Sequence, residues 1–356
     1  MNDFSFDLAA IGASDRLNET FQPYAANGLE LARISAVHRE QYRLYTSAGE
    51  RKAEAIGALL YRAKSPSDLP AVGDWVAVQT VGPEDAMVHA VLPRHTVFSR
   101  RAAGEREEQQ VIAANVDLIF IVCGLDHDFN LRRIERYLTQ AVQSGSKAAI
   151  VLNKSDLCPN PEQLIAATTQ VARDSPVIQI SALSGAGTGE LRTLIAFGTT
   201  AALTGSSGVG KSTLMNRLLG QDRQKVREVR ETDSRGRHTT THRELIPLPG
   251  GGCLIDSPGM RELQLWAGED AVGSAFEDIL ELKERCLFRD CTHRVEKGCH
   301  VLQAVEDGRL PRERWQNYLK LAAESRFHER KTDIHAALEQ KRQWKAIHKA
   351  MRGKNR

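Results

Sequence analysis

Between Leu29 and Leu92 apolar and polar positions alternate in short runs parted by turn residues: Leu31–Val37, Tyr42–Thr46, Glu54–Tyr61, Asp74–Gln79 and Met87–Leu92. A period of two over so few residues is that of a half-buried strand, and five such strands in succession predict a small β-barrel, with the OB-fold as the natural candidate. Beyond Arg101 the texture changes. An almost wholly apolar run, Val116–Cys123, leads through a helical period at Arg132–Gln143 into a second apolar run, Ala148–Leu152. A strand at Val177–Ile180, a helix at Thr188–Phe197 and a strand at Thr200–Thr204 follow. Strands without polar alternation are buried on both faces, so this alternation of strand and helix predicts a parallel sheet covered by helices, with ligands expected at the loops that leave the strands. Residues 1–27 carry no strong period; their capping-type Ser14, Asp15, Asn18 and Asn27 predict short helical or turn structure.

Composition narrows the class. Of 356 residues 41% are hydrophobic and 27 are Gly, enough to bury a core, and the net charge of +3 excludes both an acidic solvating chain and a uniformly basic one. The longest apolar stretch, Leu118–Leu125, is too short to cross a bilayer, and the acidic start Met1-Asn2-Asp3 differs from a basic signal peptide, so a cytoplasmic protein is expected. Charge concentrates at one end: residues 326–356 hold ten Lys or Arg against three acids.

The strongest chemical signal is Gly205-Ser206-Ser207-Gly208-Val209-Gly210-Lys211-Ser212-Thr213, which fits GxxxxGK[ST] between a predicted strand and a predicted helix running through Leu214, Leu218 and Leu219. Glycines let backbone N–H groups turn inward around phosphate oxygens, Lys211 would reach the β- and γ-phosphates, and Ser212 would ligate Mg2+. The base is read elsewhere. Asn153-Lys154-Ser155-Asp156 leaves the strand Ala148–Leu152, and the Asp156 carboxylate suits the N1–H and exocyclic amine of guanine, a donor pair that adenine lacks. Asn153 would tie this loop to the phosphate loop, Lys154 would lay its stem along the base, and Ser181-Ala182-Leu183 would supply a backbone N–H from Ala182 to the guanine carbonyl.

Asp256-Ser-Pro-Gly259 follows the apolar run Cys253–Ile255 as D-x-x-G, where Asp256 would hold Mg2+ through water and the Gly259 N–H would sense the γ-phosphate. A first switch must give Mg2+ a Thr, and Thr240 is the choice among Thr239, Thr240 and Thr241. Base-reading loops thus precede the phosphate loop and the switches, the reverse of the usual GTPase order. That is a circular permutation, tolerated because domain termini often lie close together, and it runs the second switch straight into the C-terminal region. Met260 stands where a Ras-type enzyme has the water-orienting Gln, so slow intrinsic turnover is expected. His238 is the internal candidate to position water, ahead of His242; with Lys211 and Thr240 it completes the expected catalytic set.

Cys286, Cys291, His293 and Cys299 offer three thiols and an imidazole in fourteen residues, a closed tetrahedral shell for one structural Zn2+, with His300 a weaker rival to His293. Cys123, Cys158 and Cys253 lie beside or within strands as packing residues. In the tail, Trp344, Ile347 and Met351 share a helical face amid Lys345, Lys349 and Arg352. A solvated helix, one that binds a phosphate backbone, or one that rests on a membrane surface all fit that pattern; the short apolar face disfavours the last.

Taken together, the barrel, N-K-S-D, S-A-L, G-S-S-G-V-G-K-S-T, R-H-T-T-T, D-S-P-G and Cys-x4-Cys-x-His-x5-Cys resemble the small-subunit-dependent GTPases of the RsgA (YjeQ) family from about Gly28 to Leu321, as do Leu69–Trp75 and Glu108–Asp117. The resemblance implies an N-terminal OB-fold (28–100) after a segment 1–27, a central α/β circularly permuted P-loop GTPase domain (101–265), a mostly helical zinc-binding domain (266–325) and a basic tail (326–356). It further implies a monomeric GTP hydrolase acting late in small-subunit assembly. Such a protein binds the small ribosomal subunit and its 16S rRNA through barrel and zinc domain, has its hydrolysis stimulated by the subunit, and engages no membrane. The alternative is an RNA-docking module switched by GTP with little hydrolysis of its own, which Met260 favours.

Overall fold

The computed structural model of the protein describes residues 6–38, 41–101, 109–220, 243–256, 269–288 and 291–326. The chain forms two compact units, Met1–Gln264 and Leu265–Arg356. In the first, the N-terminal segment holds a helix, α1 (Asp15–Ala25), started by the Ser14 hydroxyl, which accepts from the Leu17 N–H at 3.3 Å. The short helical or turn structure expected there is a helix of 11 residues.

Five strands follow: β1 (Glu30–His38), β2 (Gln41–Thr46), β3 (Gly49–Ala55), β4 (Trp75–Val81) and β5 (Asp85–Val91). β1 pairs with both β2 and β4, β2 with β3, β3 with β5 in parallel, and β5 with β4, so the ring closes and leaves no free edge. Ala32, Ile34, Leu44, Val76, Val78 and Val88 fill it. The third strand lies earlier than expected. Glu54–Tyr61 reads as a strand because of its apolar run, yet the chain leaves β3 at Ala55 and Gly57–Arg62 forms a helix, α2, with no buried side chain. β3 itself turns only Ala53 fully inward, so its polar sequence hides it.

Because Ile34 points into the barrel, its neighbour Arg33 points out of it, and this guanidinium is 1% exposed. It donates to Gly73 O at 3.3 Å, Asn115 O at 3.0 Å and Ile11 O, and lies 5.1 Å from the centre of the Trp75 ring. Burial pushes its pKa down, opposed by Cys253, Asp117 and Asp74. Each of its three nitrogens donates to a carbonyl, so the cation fastens barrel, N-terminal segment and the following hairpin at one point. A second buried pair holds the barrel exit: Arg94 donates to Asp74 at 2.6 and 2.7 Å and to the carbonyls of Ser67 and Leu69. Burial raises the Asp74 pKa, and the bonds from Arg94 act against that rise.

The hairpin β6 (Val97–Arg101) and β7 (Gln109–Ala114) spans the boundary expected between residues 100 and 101. It leads into β8 (Leu118–Gly124), whose seven residues are all buried. Helices α3 (Leu131–Ser144), α4 (Glu162–Ala172), α5 (Thr188–Leu194) and α6 (Lys211–Leu219) alternate with β9 (Lys147–Asn153), β10 (Val177–Gln179) and β11 (Thr200–Thr204). β12 (Glu244–Pro247) and β13 (Cys253–Asp256) complete the order β10-β9-β8-β11-β13-β12, parallel except at β12. Ile119, Ile121 and Cys123 pack with Ile134 and Leu138 of α3 on one face; Leu118, Phe120 and Val122 pack with Leu191 of α5 and Leu214 and Leu218 of α6 on the other. The chain runs outward from β8 to β10, returns to β11 beside β8, and covers opposite faces from those two strands. That reversal opens a crevice at the carboxyl ends of β8 and β11.

In the second unit, helices Glu269–Ala275, Glu277–Glu284 and His300–Glu306 and the helical residues 312–326 enclose Phe276, Ile279, Val301, Leu310, Trp315 and Leu321. Arg314 donates to both Asp278 oxygens at 2.7 and 2.8 Å, within this helical core. Among the described residues no helix is long and apolar enough to cross a membrane.

Asp74→Ala should destabilise the first unit by about 3–5 kcal/mol, since it strands the Arg94 guanidinium without its partner. Urea unfolding that showed a loss under about 1 kcal/mol would contradict this account.

Candidate functional site

Three loops meet at the carboxyl edge of the parallel sheet. The phosphate loop leaves β11, and its geometry needs glycine at two places. Gly205 has φ +144°, and a Cβ there would lie 2.2 Å from Val122 O; at Gly210, with φ +94°, a Cβ would lie 2.3 Å from Asn153 Nδ2. Lys211 opens α6 and its Nζ donates to Gly205 O at 2.8 Å and to Ser206 O. Ser212 and Thr213 are exposed on the first turn of that helix.

Asn153, at the end of β9 and 2% exposed, joins the loops. Its Nδ2 donates to Val209 O of the phosphate loop at 2.8 Å, and its Oδ1 accepts from the Ala182 N–H at 2.8 Å. One amide therefore fixes the spacing of the Asn153–Asp156, Ser181–Leu183 and Gly205–Ser212 segments. The Ala182 N–H, expected to face a guanine carbonyl, has its acceptor within the chain. Lys154 adopts φ +64° and donates through Nζ to Asp126 Oδ2 at 2.6 Å, a bond that holds the Asp126 pKa below the usual carboxylate range. Ser155 and Asp156 begin a short 3-10 turn, and the Asp156 side chain is exposed, free of the sheet. Leu183 is 75% exposed.

Asp256 ends β13, next to β11 in the sheet. Ile255 is level with Ala202, which sets Asp256 level with Leu203, two residues before the phosphate loop begins. The Asp256 carboxylate at the end of β13 and the exposed Ser212 hydroxyl on the first turn of the helix after β11 are oxygen donors of the kind Mg2+ takes. His238, Thr240 with its neighbours Thr239 and Thr241, His242, Gly259 and Met260 lie outside the described residues, as does the tail face of Trp344, Ile347 and Met351.

The periodicities and motifs did not single out several residues that complete the site. Arg217 of α6 donates to Leu183 O at 2.6 Å and Ala182 O at 3.4 Å, clamping the Ser181–Leu183 segment from α6. Asp126, Asp128 and Arg133 lie in and after the loop leaving β8, and Arg133 donates to Asp128 at 2.7 Å and to Ser206 Oγ. Their one sequence signal is position: they follow a buried strand at its carboxyl end. Cys123 and Cys253 are buried, and burial lifts their pKa values to about 12 and about 11, so both thiols stay protonated packing groups; Cys158 is half-buried against the same core.

In the second unit the ligand atoms of Cys286, Cys291, His293 and Cys299 lie within 4.8 Å of one another, and the three cysteines form no disulfide. Cys286 Sγ is 3.9 Å from Cys299 Sγ, and His293 Nδ1 is 3.6 and 3.4 Å from those sulfurs. A tetrahedron with Zn–S near 2.3 Å and Zn–N near 2.0–2.1 Å requires about 3.8 Å between sulfurs and about 3.5 Å from nitrogen to sulfur, so the four residues fit Zn2+. His293 belongs to this cluster while His300 starts the next helix. Glu296 shapes the knuckle: it accepts from the Thr292 hydroxyl and from the N–H groups of Thr292, Arg294 and Val295, and the bonds from the Thr292 hydroxyl and the Arg294 N–H above all hold its pKa far below the usual range. The Trp315 and His293 rings meet edge to face, their centres 5.8 Å apart.

Comparison with known proteins agrees with this arrangement. Residues 91–266 match the family described as RsgA GTPase. The chain is 44% identical to the small ribosomal subunit biogenesis GTPase RsgA of Opitutus terrae, over 98% of each protein. It is 47% identical to RsgA 2 of Lactiplantibacillus plantarum, over 85% of each. In fold it is similar to YjeQ from Thermotoga maritima (TM-score 0.64, 22% identity, 83% of this chain and 98% of that one) and to YloQ, a circularly permuted GTPase (TM-score 0.59, 22% identity, 84% and 95%).

Two substitutions probe the two centres. Asp156→Asn should shift base preference from guanine toward xanthine in competition binding, and unchanged selectivity would remove Asp156 from base reading. Cys291→Ser should lose stoichiometric zinc by atomic emission; full metal content would contradict the ligand set.

Proposed function

The chain belongs to the RsgA GTPase family, and from that premise we propose that it hydrolyses GTP to GDP and phosphate in the biogenesis of the small ribosomal subunit. One observation carries the link from residues to activity: the two hydrogen bonds of Asn153 fasten a base-reading loop, a second base loop and a phosphate loop at one sheet edge. In this reading Asp156 accepts from the N1–H and amine of guanine and discriminates against adenine, whose edge would leave the carboxylate unpaired. The backbone N–H groups of Gly208–Ser212 and the Lys211 ammonium hold the β- and γ-phosphates. Ser212, Asp256 and Thr240 are the residues proposed to hold Mg2+, which when bound neutralises charge on the phosphate oxygens.

Hydrolysis needs a water in line with the bond between the γ-phosphorus and the bridging oxygen, and the departing oxygen leaves with GDP. Met260 has no hydrogen-bonding group to orient that water, and His238 is proposed for the task. Lacking a Gln there, the protein should turn over slowly alone and faster when its partner is bound. The proposed partner is the small subunit through its 16S rRNA, met by a monomer. Support comes from the closed barrel, an architecture suited to nucleic acid, and from the tail's ten basic residues, which match a phosphate backbone. The expectation of a cytoplasmic protein rests on that same partner. Zn2+, proposed at Cys286, Cys291, His293 and Cys299, would clasp the knuckle and add folding energy.

Phosphate release should rise at least about tenfold with purified small subunits and stay at its basal level with large subunits or none. A flat response with intact GTP binding would favour the docking module over the hydrolase. Lys211→Ala should abolish turnover under every condition, and near-normal activity would refute the phosphate-loop assignment.

A further inference from the structure

The crevice between β8 and β11 has two walls. One is the phosphate loop. The other is the Asp126–Asn130 loop and the first turn of α3, where the Asn130 side chain caps the helix by accepting from the Arg133 N–H at 3.1 Å. The Arg133 side chain crosses from the second wall to the first. Arg133 Nη1 donates to Asp128 Oδ2 at 2.7 Å on its own wall and to Ser206 Oγ on the other. Asp128 is itself held, its N–H donating to Asp126 Oδ1 at 3.0 Å, and Asp126 takes the Lys154 ammonium. The guanidinium is thus aimed before it meets Ser206.

Ser206 receives two cations. Lys211 reaches its backbone carbonyl, and Arg133 reaches its hydroxyl. A phosphate loop works only while its N–H groups converge, a backbone arrangement with several positive-φ residues that an unsupported loop leaves readily. Gripping the side chain of the second residue of the loop limits that loss. We propose that Arg133, aimed by Asp128, is a positioning residue for nucleotide binding: it acts through the Ser206 hydroxyl to hold the phosphate loop in its anion-binding shape. The role rests on the guanine-nucleotide reading of the site, and it concerns the wall contributed by β8 and α3, where the GTPase motifs place no residue. Its effect falls on GDP and GTP alike, because the grip precedes any contact with the γ-phosphate.

The test is a double-mutant cycle on the full-length protein, read by titration with fluorescent GDP and a non-hydrolysable GTP analogue, with thermal unfolding of the nucleotide-free protein alongside. Arg133→Ala should weaken both nucleotides about tenfold to a hundredfold, as loss of a charge-assisted hydrogen bond does, with little change in Tm. Ser206→Ala should lose affinity in the same direction, and adding Arg133→Ala to it should cost almost nothing more. Arg133→Lys should recover part of the affinity, and Asp128→Asn should show a smaller loss. If Arg133→Ala does not fold, Asp128→Asn with Ser206→Ala completes the cycle under the same non-additivity criterion. Affinity within about twofold of the parent in Arg133→Ala, or full additivity with Ser206→Ala, overturns the proposal. Lys211→Ala separates the two levels: if it loses nucleotide while Arg133→Ala does not, the site reading stands and the positioning role fails; if it keeps nucleotide, the site reading itself fails.

Discussion

The buried amide of Asn153 is the constraint on which the site depends. Its nitrogen holds Val209 O and its oxygen holds the Ala182 N–H, so three loops separated by tens of residues keep one relative position. Both bonds are inside the protein, where an unmade one costs the full desolvation of its group. The glycine at 210 exists for the same reason: a side chain there would collide with the Asn153 nitrogen. Arg217 and Arg133 repeat the principle from α6 and α3, each carrying a cation from a rigid helix to a loop that would otherwise have to find its shape alone.

Circular permutation leaves such a site intact because the contacts join loops across the sheet, not along the chain. β8 and β11 are neighbours although the second lies far downstream, and the crevice between them is set by which face each following helix covers. What permutation does change is the chain direction out of the site. Asp256 ends the last strand of the sheet, and the sequence proceeds from there through Gly259 into the unit that holds the Cys/His cluster. The order of segments thus joins the turn proposed to sense nucleotide covalently to the Cys/His knuckle.

That knuckle and the barrel solve the same problem in different ways. A small fold has little apolar area to bury. The barrel closes its sheet and ties its outer side with the Arg33 guanidinium and the Asp74–Arg94 pair. In the second unit, helices gather around Phe276 and Trp315, and the ligand atoms of Cys286, Cys291, His293 and Cys299 come within 4.8 Å of one another, where Zn2+ is the proposed clasp.

The chemistry of the centre was legible in the sequence wherever residue type and spacing alone impose it. Glycines at 205 and 210, the Lys211-Ser212 pair, the Asn153–Asp156 motif after an apolar strand and three cysteines with a histidine each announce a ligand whatever their surroundings. Strands buried on both faces, such as β8, were equally plain. β3 was not, because its inward side is mostly a single Ala53, and α2 was read as strand because an apolar run carries no period of its own. Arg33, Asp74, Arg133 and Arg217 were illegible for a different reason. A charged side chain in a sequence reads as solvated surface, and only the tertiary structure brings each to the carbonyl, carboxylate or hydroxyl that satisfies it, across distances along the chain that no local pattern encodes.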